Sequence, residues 1–239
     1  MNIQLSPLGL IHSPYQEKFS VPRQPGLVNA TTSSLVFNSD FNDPDLLDSV
    51  EQFSHFWLVF AFHQNIKSGW KAKVRPPRLG GNKKVGVLAS RSSFRPNHLG
   101  LSLLELSHVE RSPSKLAMHF KGGDLVNGTP IYDVKPYLPY ADSIPEAQAG
   151  YAQQAPQQQL LVIWSQQALQ QAQQLNIEQT QRLVIEQVLA QDPRPAYKQN
   201  KTDDREYGVA LYQFNIRWRI LEVNASESQV EIVSVTHAA

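Results

Sequence analysis

Arg91 and Arg95 stand four residues apart in RSSFRPNHLGLS (Arg91–Ser102), directly before an apolar run, Leu99–Leu106, that reads as a buried strand. Fixed positive charge at a strand edge calls for an anion or a solvated face. The two arginines close a longer basic window. Between Glu51 and Glu105 there is no acidic residue, whereas Lys67, Lys71, Lys73, Arg75, Arg78, Lys83, Lys84, Arg91 and Arg95 all fall inside it. Net charge over the chain is only +1, so the basicity is local. Trp70 and Phe94 are interleaved with the charges. That mixture favours a surface that grips phosphates and stacks on bases or an adenine over a merely solubilising face.

Three more polar, turn-rich segments sit at the ends of apolar runs: PRQPGLV (Pro22–Val28), FHQ (Phe62–Gln64) and DLVNGTPIYDVKPYLPY (Asp124–Tyr140). Prolines fix φ and glycines permit unusual turns, so such loops at strand ends are where sites are built on β scaffolds. Four of them together make a shared site a better reading than four unrelated turns. Gly81 and Gly86 have the spacing of a phosphate loop, but Val87 and Leu88 occupy the positions that require Lys and Ser or Thr. No G-x-G-x-x-G follows a strand, so a Rossmann-type dinucleotide or methyl-donor loop is not expected. The 7 histidines show no metal-ligand spacing, no G-x-S-x-G elbow exists, and there is no cysteine for a disulfide or thiolate site. No metal is expected.

The elements that must position these residues are mostly strands. Ile3-Gln4-Leu5, Phe56–Phe62, Val85–Ala89, Leu99–Leu106 and Leu116–Phe120 read as short strands. Asp43 as N-cap, Pro44 at the first helical position, and Leu46, Leu47, Val50 and Phe53 at helical spacing predict a helix among them. Long loops are expected at Ser20–Val28, Lys67–Lys84 and Gly122–Pro139. Many strands with few helices point to a mainly β barrel or sandwich over residues 1–150. Composition then changes. The Ala- and Gln-rich stretch Ala147–Gln159 reads as a linker to a small α+β domain, residues 156–239. That domain should hold a strand at Leu160–Trp164, a helix at Glu178–Gln191, a glutamine-rich stretch at Ser165–Leu175 that reads either as a second helix or as low complexity, and a final hairpin from Phe214, Ile216, Trp218 and Ile220 to Val230–Val235 around a loop at Asn224–Ser228. Between helix and hairpin, DPRPAYKQNK (Asp192–Lys201) should present Arg194, Lys198 and Lys201 outward. The most apolar stretch, Phe53–Phe62, is far short of the roughly 20 residues of a membrane helix, and Met1 opens onto no basic-then-apolar leader. A soluble, cytoplasmic protein is the expectation.

The same segments carry a family likeness. RSSFRPNHLGLS, VNGTPIYDVKPYLPY, SPYQEKFSVPRQPGLV, FHQ, VRPPRLGG and, near the end, QDPRPAY before a hairpin with an N-x-R-W core together resemble the bacterial family of tRNA methyltransferases that N6-methylate threonylcarbamoyladenosine at position 37, beside the anticodon. His98 and Asn127 depart from that family's usual proline and aspartate. The resemblance implies a non-Rossmann β-barrel-like methyltransferase domain, S-adenosylmethionine as donor, the tRNA anticodon stem-loop as partner, and a homodimer with each cofactor near the subunit interface.

Residue by residue, the resemblance implies that Pro25, Gly26 and Leu27 line the cofactor pocket. His63 and Gln64 would bond the ribose or amino-acid part, and Arg91 would hold the methionine carboxylate. Leu101 and the turn Lys121, Gly122, Gly123 and Asp124 would complete the pocket through backbone contacts to adenine. On the acceptor side, Asp133 would serve as base or base-orienting group and Tyr137 as a stacking or hydrogen-bonding partner. Arg95, Asn97, Lys83, Lys84, Lys135 and Arg194 would contact RNA. Two other readings stay open: a non-catalytic RNA-binding barrel module, and an S-adenosylmethionine-dependent methyltransferase of a small molecule. The first predicts no affinity for the donor, the second indifference to tRNA.

Overall fold

The computed structural model describes residues 3–112, 115–154, 160–195, 198, 204–224 and 227–238. Its first half is built from β1 (Gly9–His12), β2 (Thr32–Phe37), β3 (His55–Ala61), β4 (Lys73–Val74), β5 (Val85–Gly86), β6 (Leu99–Ser112), β7 (Lys115–Lys121) and β8 (Pro130–Pro136). Six of these close an antiparallel barrel in the order β1-β2-β7-β6-β3-β8, and β8 returns to β1 through the pairs Gly9 with Ile131 and Leu10 with Pro130. Alternation decides which side chains enter. Along β3, Phe56, Leu58 and Phe60 turn inward while Trp57 and Val59 face out, and Ile11, Leu35, Leu104, Leu116, Met118, Phe120 and Ile131 meet the first set in the lumen. So narrow a barrel is filled by its own side chains, which leaves its lumen no room for a ligand.

The rest of the chain forms a second sheet, strand order β10-β11-β12-β9, from β9 (Leu161–Trp164), β10 (Tyr207–Leu211), β11 (Phe214–Asn224) and β12 (Glu227–His237). A single turn, α1 (Pro139–Asp142), precedes it, and α2 (Gln166–Gln174) and α3 (Gln179–Leu189) complete it. Ser165 caps α2 by accepting from Ala168 N–H, and Glu178 with Gln181 forms a reciprocal capping box on α3. Val184, Ile185, Val188 and Leu189 bury one face of α3 with Phe214, Ile216 and Trp218. Tyr15 and Val28, from the barrel half, belong to this second core and are fully buried in it.

Five expectations from the sequence are corrected. Ile3–Leu5 is not a strand; the first strand is Gly9–His12. The helix expected from Asp43 is two 3-10 turns, Pro44–Leu47 and Val50–Gln52: Asp43 does cap by accepting from Asp45 N–H, but Ser49 takes φ +63° and breaks the helical path. Val85–Ala89 splits into β5 and a 3-10 turn at Val87–Ala89. The loop expected over Gly122–Pro139 holds β8, which pairs with β1 on one side and β3 on the other. Arg194 is not presented outward: its side chain is 3% exposed and donates from Nε and Nη2 to Asp192 at 2.7 and 2.8 Å. Ala196, Tyr197 and Lys201 of the same loop, the Pro156 linker and the tip of the last hairpin lie outside the described residues.

Candidate active site

Outward-facing residues of β3 and β6 stand side by side: Val59 pairs with Leu101 and Trp57 with Leu103. This wall floors a cleft of about 790 Å³, within the range of pockets that take ligands. Gly100 lies between Leu99 and Leu101 in the lining and leaves room for the Phe60 ring. A Cβ there would come within 2.2 Å of the Phe60 ring, which crosses over it from the facing strand.

The loop Ser90–His98 forms one side. Ser90, Arg91, Ser93 and Arg95 line the cleft, and the loop is clasped to the 3-10 turn His63–Ser68 by Asn65 Nδ2 donating to Ser93 Oγ at 2.7 Å. Arg95 donates to the Ser90 carbonyl at 2.7 Å, so part of its role is to fold its own loop. Pro96 and the exposed Asn97 are the central residues of a turn closed by His98 N–H donating to Arg95 O at 3.1 Å. His63 and Gln64 line the cleft from the end of β3.

The opposite side is the segment Val21–Gln24 with Lys18, and Arg91 donates to Gln24 Oε1 across the cleft. Pro25, Gly26 and Leu27 are not on the lining; they lie behind it. Gly26 N–H donates to Gly122 O at 2.8 Å, and a Cβ on Gly122, at φ +63°, would approach Gly26 backbone to 3.2 Å. Gly122 and Gly123 are buried. Lys121 turns away to pair with Glu105 at 2.8 Å. Asp124 reaches the cleft with its side chain, accepting a hydrogen bond from the hydroxyl of Ser102, a buried residue of the barrel wall. Burial pushes the Asp124 carboxyl up to about 6, opposed by the Ser102 hydrogen bond, a backbone hydrogen bond and the Arg91 charge.

Asp133 and Tyr137 lie beyond this lining. Asp133 pairs with Val59 across β8 and β3, so Leu101, Val59 and Asp133 form one row across three strands, with Asp133 next outward from the cleft floor. Its carboxylate accepts from Val134 N–H at 2.9 Å and meets Lys135 Nζ at 3.5 Å in a half-exposed pair. The Tyr137 ring packs on His55 and on Trp57 with centroids 6.3 and 6.2 Å apart, and Trp57 itself lines the cleft. Lys83 and Lys84 sit on an exposed arm with Lys67, Lys71, Lys73, Arg75, Arg78 and the 58% exposed Trp70, which leads directly into the Arg91 loop. Arg194 is outside this assembly, paired with Asp192 in the second unit.

The structure thus gathers His63, Gln64, Arg91, Arg95, Leu101 and Asp124 in one cleft. Sequence reading missed Lys18, Trp57 and Ser93 there, and Ser102, which stands behind the lining and holds Asp124. Only Ser102 left a trace, a hydroxyl at an inward position of an apolar strand. Among the described residues no group of three His, Cys, Asp or Glu could hold a metal, and no helix is long and apolar enough to cross a membrane.

Comparison with known proteins agrees with this layout. The description "tRNA-methyltransferase O N-terminal domain" matches residues 10–143 and "TrmO C-terminal domain" matches residues 157–238. The chain is 46% identical over 222 residues to the Escherichia coli tRNA (adenine(37)-N6)-methyltransferase, covering 92% of this chain and 94% of that protein. It is 44% identical over 224 residues to a Pseudomonas aeruginosa protein whose name describes an S-adenosylmethionine-dependent methyltransferase, covering 91% of this chain and 93% of that protein. The crystal structure of TrmO from Pseudomonas aeruginosa superposes with a TM-score of 0.79 at 34% identity, with 99% of each chain covered. Barrel, outer-wall cleft and paired domains therefore carry a single conclusion: the chain belongs to the tRNA-methyltransferase O family, whose members are S-adenosylmethionine-dependent tRNA methyltransferases.

Proposed function

We propose that this chain transfers a methyl group from S-adenosylmethionine to N6 of threonylcarbamoyladenosine at position 37 of tRNA, beside the anticodon. The observation that carries the reading is the outer-wall cleft, where Arg91 and Asp124 set opposite charges over an apolar floor. That charge pair is complementary to a zwitterionic amino-acid moiety. The residues present therefore fit the donor: Arg91 offers a two-pronged match to a carboxylate, Asp124 a counter-charge, and Val59 and Leu101 an apolar bed. When bound, S-adenosylmethionine supplies a sulfonium methyl already activated for transfer.

The chain's own work is alignment and proton handling. The acceptor nitrogen is urea-like, with a delocalised lone pair, so removal of its proton assists attack. Asp133, next in the row from the cleft floor, would accept that proton or orient the group, a reading supported by its pairing with Val59, and Tyr137 with Trp57 would offer a stacking face. Lys83, Lys84, Arg95, Asn97 and Lys135 on the surrounding surface suit an anticodon stem-loop, and the 54% exposed Leu101 suits a homodimer in which a second subunit covers the cleft mouth. A cytoplasmic setting follows from the substrate.

Calorimetry with S-adenosylhomocysteine tests the cleft: Arg91→Ala should weaken binding by about 1.5–3 kcal/mol, the scale of a hydrogen bond to a charged group. Nucleoside mass spectrometry of tRNA incubated with enzyme and donor then identifies the acceptor. Binding of the donor product without any mass gain on tRNA would transfer the reading to a small-molecule acceptor, and no binding at all to a non-catalytic RNA module.

A further inference from the structure

The cleft wall Val21–Gln24 belongs to a segment, residues 13–31, that is held from two sides. Toward the site, Gly26 N–H donates to Gly122 O, Gly122 N–H donates to Thr31 O at 2.9 Å, and Asn127 N–H donates to Tyr15 O at 2.8 Å, so the segment is keyed into the loop that carries Asp124. Toward the second domain, Gln187 Oε1 on α3 accepts from Ala30 N–H at 3.0 Å, and Glu17 Oε1 accepts from Ala210 N–H of β10 at 3.1 Å. Tyr212 N–H donates to Pro14 O at 2.7 Å, and Tyr15 bridges to Leu211. Tyr15 and Val28 are buried in the second domain's core, with the Tyr15 hydroxyl bonded to Thr31 Oγ1 at 2.7 Å. No regular element inside 13–31 supports it. Without the second domain the Ala30 N–H donor, the Pro14 carbonyl acceptor, the Glu17 carboxylate and two core side chains would lose these partners.

We propose that the C-terminal domain is a positioning element for the donor cleft, acting through segment 13–31, with Gln187 and Glu17 as the positioning residues. It fixes the wall opposite Arg91 and, through the Gly26–Gly122 contact, the loop of Asp124. This rests on the cleft being the donor site, which Arg91→Ala tests on its own. Gln187→Met removes the acceptor at nearly constant volume. In the full chain it should raise KM for S-adenosylmethionine by about three- to tenfold, the scale of one net hydrogen bond, while kcat and KM for tRNA hold. Gln187→Glu keeps an acceptor oxygen and should return KM toward the wild-type value. Glu17→Met makes the same test from the other side of the junction.

Linkage is reciprocal, so the wild-type protein offers a reading without any variant. Saturating S-adenosylhomocysteine should slow hydrogen exchange at the Ala30 and Ala210 amides. Unchanged exchange there, or a Gln187→Met variant that melts earlier with KM for the donor unmoved, overturns the proposal. Loss of binding in Arg91→Ala with normal binding in Gln187→Met keeps the cleft and discards the positioning role. Normal binding in Arg91→Ala discards the cleft itself.

Discussion

The Asp124 carboxyl is pushed up to about 6 from its ordinary 3.8, because burial penalises its charged form more than Ser102 and Arg91 relieve it. In the folded chain it keeps a proton that the unfolded chain has released between about pH 4 and 6, so its contribution to stability falls as pH rises through that window and stays low above it. The unrelieved charge costs on the order of 3 kcal/mol at pH 8. Asp124→Asn should therefore stabilise the ligand-free protein by about 1–3 kcal/mol in denaturant titrations at pH 8 and by nothing near pH 3.5, while S-adenosylhomocysteine affinity falls. Asp133 presents the opposite case, an exposed carboxylate whose pair with Lys135 contributes little to stability. If it takes the N6 proton, Asp133→Asn should keep fold and both affinities while single-turnover methylation drops by ~10²–10⁴, less at higher pH. Lys135→Ala is its control: an equal loss in both variants, with a lower melting temperature, would mean that the pair only shapes the site.

Among the elements, β3 and β6 do most to build the site, and their pairing depends on a missing side chain. Gly100→Ala would drive a Cβ into the Phe60 ring and should destabilise the barrel by about 1–3 kcal/mol, the usual cost of overpacking, with donor affinity lowered as the wall bends. Thermal unfolding and calorimetry on the variant check both. These strands were legible in the sequence because Phe56–Phe62 and Leu99–Leu106 are apolar runs, and so were β7, β9, α2, α3 and the last hairpin. β8 was not, since prolines at both ends and the neighbouring Asn-Gly made IYDVKP read as loop, although its Ile131 fills the lumen. β1 and β2 escaped for a related reason. They are short, and β2 carries Ser33 and Ser34 where alternation would place one apolar side chain. The candidate site followed the same division. Arg91 and Leu101 could be named from their motif, whereas Trp57 lies outside the quoted motifs and Lys18, though inside one, reaches the cleft only through the packing of an irregular segment, which no local pattern encodes.

For the molecule as a whole, the Lys67–Lys84 part of the acid-free window becomes an exposed arm, tied to the Arg91 loop by Lys71 N–H donating to Phe94 O. If that arm meets tRNA phosphates, the double variant Lys83→Ala/Lys84→Ala should bind tRNA more weakly, and the slope of log K against log salt should shrink by roughly 0.7–0.9 for each contact removed. An unchanged slope would reduce these lysines to solubilising groups. The second domain's grip on segment 13–31 was invisible in the sequence, because Ala30 and its acceptor Gln187 are 157 residues apart. That separation also sets an order of events during synthesis. A chain leaving the ribosome N-terminus first exposes Tyr15 and Val28 long before α3 and β10 exist to bury them, so the barrel can close while one wall of its cleft still hangs loose. On the proposed reading, the wall translated before the barrel is seated after it, and a nascent chain would gain its full grip on the methyl donor only once α3 and β10 have emerged.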